Sequence, residues 1–365
     1  MREIILDSPV GPEITMEGKR YLYFGGTNYL GMAGRPEVIE AARAALDGYG
    51  LSSSASRSTS GTSRLHLELE TAISAFAGCE ATALLCSGYM SMLALLEAVA
   101  GENDQVLLQQ DAHPSIRMAV RASGLPCLEA DPFDPDRFAQ ALGNAGAKHT
   151  RLLVVGEGVS PLTGRLYPLP RVLEQLGGRQ SLVLLDEAHA FGVIGETGAG
   201  TAEYYKIADE RVLCCATLSK AFGASGGIVP GKRELVEALR ARSNAYLAAS
   251  PPPGPVLGAA RAAVELVAGN PGLIEVLHSN TTRLKDGIRS LGLDVDRTPV
   301  PIVPVWFDKP ERMQAIYDRL LELGVLAPYT SYPGCPPGGM IRLAVSAAHT
   351  GEQIEFFLDC LKKAV

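Results

Sequence analysis

Runs of basic residues are missing from this 365-residue chain, and its formal net charge is −7. With no basic stretch and no patch of interleaved aromatics, nothing matches the phosphate charge of a nucleic acid, so no nucleic-acid partner is expected. No apolar run approaches the roughly 20 residues of a membrane span, and Met1-Arg2-Glu3-Ile4-Ile5-Leu6-Asp7 lacks the apolar core of a signal peptide. A soluble, cytoplasmic protein with no membrane partner is the expectation. The cysteines (Cys79, Cys86, Cys127, Cys214, Cys215, Cys335, Cys360) are odd in number and contain no Cys-x-x-Cys pair. That pattern indicates neither a zinc site nor a disulfide framework, and buried free thiols are expected instead. Internal repeats and low-complexity linkers are absent as well.

What is present is apolar sequence, 47% of the chain. That is enough to bury a large core, and the length suits two domains or one large domain with an appendage. An anionic ligand would have to be held by local arginines and helix N-termini. Short apolar runs alternate with amphipathic stretches, the pattern of a mostly parallel sheet with helices on both faces. Strands are expected near 83–86, 105–108, 152–155, 182–185, 212–215 and 227–229, and helices over 35–47, 63–77, 89–100, 115–123 and 232–242. The texture changes after Pro251-Pro252-Pro253. A long helix over about 256–269 leads to a smaller α+β unit with strands near 303–306 and 341–345 and a closing helix from Gly351. The expected division is an N-terminal segment (1–34), a large domain (35–250) and a small C-terminal domain (251–365).

Chemistry concentrates in two places. Lys220 lies in Thr217-Leu218-Ser219-Lys220-Ala221-Phe222-Gly223-Ala224-Ser225-Gly226-Gly227, about thirty residues after Asp186-Glu187-Ala188-His189. A pyridoxal-phosphate site needs that pairing: a lysine amine for the cofactor's aldehyde, and a carboxylate that keeps the pyridine nitrogen protonated. The hydroxyls of Thr217 and Ser219 can bind the phosphate, and the glycines after Lys220 let the backbone pass close to the cofactor. Ser87-Gly88-Tyr89 follows a strand and opens a helix, where backbone N–H groups and the helix dipole attract a phosphate. Asp186 ends an apolar strand, as a helix cap or as the carboxylate on the pyridine nitrogen. His189, three residues on, can hydrogen-bond the cofactor's phenolic oxygen. His113, before Pro114, either stacks on the pyridine ring or merely starts a helix. Arg342, inside an apolar strand, needs an anion, supplied by a substrate carboxylate or an internal salt bridge.

Taken in order, these motifs resemble the α-oxoamine synthases, pyridoxal-phosphate enzymes with the aminotransferase class I/II fold. The resemblance runs from Asn28-Tyr29-Leu30-Gly31 to Ser346-Ala347-Ala348-His349-Thr350. It implies a fold type I α/β transferase in which a mostly parallel central sheet is flanked by helices and followed by a smaller α+β C-terminal domain. Lys220 corresponds to the family's cofactor-binding lysine and Thr217 to its phosphate-binding threonine. Asp186 and His189 correspond to the partners of the pyridine nitrogen and phenolic oxygen, His113 to the stacking histidine, Ser87-Gly88-Tyr89 to the phosphate turn, and Arg342 to the arginine on the amino-acid carboxylate. Arg57 and His66 lie in a matching segment, with Arg57 as a candidate substrate contact. The implied reaction is condensation of a small amino acid with an acyl-CoA, releasing CoA and usually carbon dioxide, in a homodimer with interface active sites.

Four positions depart from the family pattern. About two dozen residues precede Thr27, where the family has a longer helical segment, and Thr27 itself replaces the asparagine that contacts the substrate carboxylate. Pro161-Leu162-Thr163-Gly164 stands where the family reads Ser-Met-Asp-Gly, and Ala249 replaces a threonine that reaches the neighbouring subunit's phosphate. Together these changes point to an altered substrate or reaction. An aminotransferase or other carbanion enzyme that does not use CoA is the alternative, and a non-catalytic partner subunit is a third reading.

Overall fold

The computed structural model describes residues 4–145, 151–307, 309–331, 335–336 and 338–365; the first three residues of the N-terminal reading lie outside it. In chain order the strands are β1 (Glu13–Met16), β2 (Lys19–Tyr23), β3 (Ala81–Leu85), β4 (Gln105–Gln109), β5 (Cys127–Ala130), β6 (Leu152–Glu157), β7 (Ser181–Asp186), β8 (Val212–Thr217), β9 (Gly227–Gly231), β10 (Ile302–Val305), β11 (Val325–Leu326), β12 (Tyr329–Thr330) and β13 (Met340–Ala344). Among the described residues, seven of them form one sheet in the order β3-β9-β8-β7-β6-β4-β5. The run from β8 to β5 is parallel throughout, and β9 is antiparallel to both of its neighbours. Every residue of β4 and β6 is buried. Helices on both faces account for that burial, and it is why these strands read as continuous apolar runs rather than as alternating ones.

One face carries the helices Ser91–Val99, Pro114–Ser123 and Arg233–Arg242, packed through Met92, Leu95, Ile116 and Leu239. The opposite face carries Pro135–Asn144 and Leu169–Leu176, packed through Phe138, Leu142, Val172 and Leu176. A third cluster joins the large sheet to the C-terminal unit, since Leu218 and Phe222 share it with Ile302, Leu343 and Phe357. The helix Gly254–Ala268, expected to lead into the smaller unit, lies along the helices Pro36–Tyr49 and Arg64–Ala77.

The smaller unit is built on two three-stranded sheets among the described residues. In one, β13 lies between β10 and β12, antiparallel to both. In the other, the β1–β2 hairpin is completed by β11, which runs parallel to β2. Leu22 and Tyr23 are therefore paired with Val325 and Leu326, more than three hundred positions later. A further bond from Ala344 N–H to the Phe24 carbonyl (2.9 Å) ties β13 to the chain just after β2.

Six of the seven strands of the main sheet lie where the apolar runs place them. The seventh, β5, is an edge strand in which Cys127 and Glu129 are exposed and Ala130 is buried. Its Cys-Leu-Glu-Ala carries no run of apolar residues to signal it. Likewise the helices Gly272–Ser290 and Pro310–Glu322, absent from the sequence expectation, present narrow apolar stripes on otherwise polar surfaces.

Candidate active site

Parallel strands deliver their C-terminal ends to one edge of the sheet, and the chemistry of this chain collects there. β6 ends on Glu157 and β7 on Asp186, in register opposite each other. Both are buried. Asp186 accepts the backbone N–H of Ala188 at 2.9 Å, which closes the turn leading to His189. Burial pushes the Asp186 carboxyl upward, opposed by the nearby Lys220 cation, the Ala188 N–H and His113. A carboxylate held in this way favours a cationic partner that shares its burial.

The loop that carries Lys220 is pinned by packing. Phe222 meets Phe191 at 5.5 Å and Phe76 at 5.4 Å between ring centroids, and Phe76 meets Phe191 at 5.2 Å. Edge-on aromatic contacts contribute about 0.5–1.5 kcal/mol each beyond their buried area. Because Phe191 follows His189 by two residues, the same trio fixes the Asp186–His189 loop against the Lys220 loop. Gly223, with φ +60°, closes against Ala33, whose backbone nitrogen would lie 2.2 Å from any added Cβ. Lys220 itself is largely buried. Burial lowers its amine to about 8, with Asp186 and Glu157 opposing the fall and Arg342 adding to it.

The hydroxyls expected at the phosphate lie next to one another. Thr217 Oγ1 is 2.9 Å from Ser219 Oγ and receives the Ser219 backbone N–H at 3.2 Å. Ser87 Oγ accepts the Tyr89 N–H at 3.2 Å and caps the short turn before the helix Ser91–Val99. Gly88 joins the two groups, for a Cβ there would meet Thr217 Cβ and Oγ1 at 2.5 Å. Tyr89 is half exposed. The result is a cluster of hydroxyls and N–H donors ahead of a helix, a setting that suits a phosphate.

Lys220, His113, His189, Arg342, Thr27, Pro161 and Leu162 line one cavity of about 750 Å³. The His113 side chain accepts the Ser115 N–H at 3.2 Å and so caps the helix Pro114–Ser123. Burial lowers its imidazole, as does Lys220, while Asp186 opposes them. His189 Nδ1 lies 2.8 Å from the Tyr29 hydroxyl. Burial holds that imidazole well below its ordinary range, helped by Lys220, Arg342 and His113, and burial raises the Tyr29 phenol. With both groups neutral, a Tyr29 O–H that donates to Nδ1 leaves the ring proton on Nε2, free to donate into the cavity. Arg342 also acts on the Tyr29 hydroxyl. Its Nε donates to the Pro161 carbonyl and its Nη1 to the Gly26 carbonyl at 3.5 Å, and no carboxylate pairs with it among the described residues.

Arg57 is not brought to this cavity within the chain. Its guanidinium lies 3.1 Å from Glu70 in a buried ion pair, donates to Thr62 Oγ1 at 3.0 Å and sits 5.6 Å from the Tyr246 ring centroid. His66 takes part in a capping box with Ser63 at the start of the helix Arg64–Ala77. Two residues of the site were not singled out from the sequence. Tyr29 lies within a recognised motif, and its link to His189 spans 160 positions. Glu157 ends an apolar run as Asp186 does.

The fold and this site define a class, and comparison with known proteins agrees with it. Residues 19–361 match the family model for aminotransferase class I and II. The 8-amino-7-oxononanoate synthase of Stutzerimonas stutzeri is 34% identical, over 99% of this chain and 92% of that relative. The 8-amino-7-oxononanoate synthase of Thioalkalivibrio sulfidiphilus is 32% identical with the same coverage. Among solved structures, serine palmitoyltransferase from Sphingomonas wittichii superimposes with a TM-score of 0.93 at 28% identity, covering 99% of this chain and 91% of that one. Serine palmitoyltransferase from S. paucimobilis with bound PLP and myriocin gives 0.92 at 27%, covering 99% and 92%. The chain belongs to the aminotransferase class I and II family. Within that family it is an α-oxoamine synthase, the branch that holds serine palmitoyltransferase and 8-amino-7-oxononanoate synthase.

Proposed function

We propose that this chain joins a small amino acid to an acyl-CoA, releasing CoA and usually carbon dioxide, with pyridoxal 5′-phosphate as its cofactor. One observation carries the reading: the Arg342 guanidinium faces the cavity beside Lys220 with backbone carbonyls as its hydrogen-bond partners. A half-buried cation without a carboxylate favours an anionic ligand, and a planar guanidinium suits a carboxylate.

The residues present fit the cofactor. Thr217, Ser219 and the Ser87-Gly88-Tyr89 turn would hold its phosphate. Asp186 would take the protonated pyridine nitrogen, which relieves the cost of a buried carboxylate. His113 would cover the ring face, and His189 Nε2, if protonated, would donate to the phenolic oxygen. When bound, the cofactor supplies an aldehyde carbon for an amine and a ring that draws electrons from the amino acid's Cα.

The remaining work falls to the chain. Lys220 would hold the cofactor's aldehyde carbon, and its Nζ, when free, would take the Cα proton of the substrate. An amine near 8 is well matched to that transfer at neutral pH. Arg342 fixes the substrate carboxylate and thereby the orientation of the Cα bonds. Thr27, Pro161 and Leu162 line the substrate side. A homodimer in the cytoplasm completes the reading. Among the described residues no helix is long and apolar enough to cross a membrane.

The test is free-thiol release when the purified protein is mixed with acetyl-, malonyl- or longer acyl-CoA and each of glycine, alanine and serine. Amino-acid-dependent release is expected. Conversion of the cofactor to its pyridoxamine form with no thiol released would replace the synthase by an aminotransferase.

A further inference from the structure

Glu157 enters none of the roles above, yet it stands at the centre of the charged groups. The register of β6 and β7 places it opposite Asp186. Asp111, just beyond β4, adds a third carboxyl at the same edge, Lys220 supplies the nearby cation, and the backbone N–H of His113 faces the Glu157 carboxyl. Two buried carboxyls side by side cannot both hold a full negative charge at tolerable cost, so their environments must separate them. Here the environments differ. Asp186 has the Ala188 N–H as a donor, whereas Glu157 Oε2 has no hydrogen-bond partner in a residue only 4% exposed. An ionised oxygen left in that state is far more costly than a neutral one. Burial, Asp186 and Asp111 together push the Glu157 carboxyl well up, against Lys220 and the His113 N–H.

We propose that Glu157 is a positioning residue of this site: as a neutral acid it seats His113 through that residue's backbone N–H and leaves the negative charge of the strand-end pair to Asp186. The inference rests on the reading of Asp186, His113 and Lys220 as cofactor residues. Its consequence for the reaction is electrostatic. A second anion beside Lys220 would raise its amine, and a neutral Glu157 removes that contribution.

The experiment compares the holoenzyme with E157Q, which keeps the shape and neutrality of the protonated acid. Infrared difference spectra at neutral pH are expected to show the carbonyl band of a protonated carboxylic acid in the parent protein and its loss in E157Q. The pH midpoint of the bound cofactor's visible band is expected to be the same in both. E157A is expected to bind the cofactor about tenfold more weakly, with E157Q close to the parent. Absence of the acid band, or a fall of about one pH unit or more in the midpoint on E157Q, overturns the proposal, because removal of an anion lowers the amine. If E157Q does not accumulate folded, carboxyl-labelled glutamate identifies the band in the parent protein. A parent protein with no visible cofactor band overturns the underlying reading of the site, while the infrared band still decides the protonation of Glu157.

Discussion

The proposed cofactor chemistry rests on Lys220. Lys220→Ala is expected to abolish the visible absorbance of the bound cofactor; a variant that keeps the band would assign the amine elsewhere. The pH dependence follows from burial, which lowers this amine to about 8. The neutral amine is the nucleophile, so the rate at which apoprotein takes up pyridoxal phosphate should rise about tenfold per pH unit below that value and level off above it. Arg342→Ala is expected to weaken amino-acid binding about 10- to 100-fold while the resting cofactor spectrum stays unchanged, measured by substrate titration of that spectrum. Equal affinity would show that the carboxylate is held elsewhere. Asp186 and Arg342 were legible in the sequence because a charged group inside or at the end of an apolar run is costly without a reason, and Lys220 through its spacing from Asp186 among hydroxyls and glycines. Tyr29 was not, because a buried tyrosine is ordinary core until its hydroxyl is seen on His189 Nδ1.

Among the elements, the turn between β3 and the helix Ser91–Val99 is the most exacting. Gly88 approaches Thr217 so closely that any side chain must displace one of them. Gly88→Ala is therefore expected to weaken binding of the cofactor and of inorganic phosphate alike, read by equilibrium titration of the apoprotein, and to cost about 1–3 kcal/mol in unfolding. Equal binding would remove this turn from the phosphate site. Central strands were legible because burial on both faces demands a continuous apolar run, and six of the main sheet's strands obey it. Of the two edge strands, β3 still obeys it and β5 does not. β5 packs only Leu128 and Ala130 against the core and leaves Cys127 and Glu129 exposed, and β11 and β12 are only two residues long each. Elements that short owe their pairing to the partner strand rather than to their own composition.

At the scale of the whole molecule, stability and site share the same long-range contacts. Glu70 is buried, pairs with Arg57 at 3.1 Å and Arg240 at 2.9 Å, and receives the Leu84 backbone N–H at 3.2 Å. It thereby joins the loop before the helix Arg64–Ala77, strand β3 and the helix Arg233–Arg242. Glu70→Ala should cost about 3–5 kcal/mol in denaturant unfolding, because it leaves the buried Arg57 cation unpaired. A loss under about 1 kcal/mol would show that Arg57 finds another anion. The sequence by itself determined the fold class, the main sheet's central strands and the chemically unusual residues, since each leaves a local trace in pattern or cost. Only the tertiary structure decided that residues 13–23 complete a sheet with residues 325–326, that Arg57 is spent on Glu70, and that Glu157 stands opposite Asp186. Those facts are pairings between distant segments, and a pairing has no local pattern: it exists only once strand register and helix packing have brought the two side chains together.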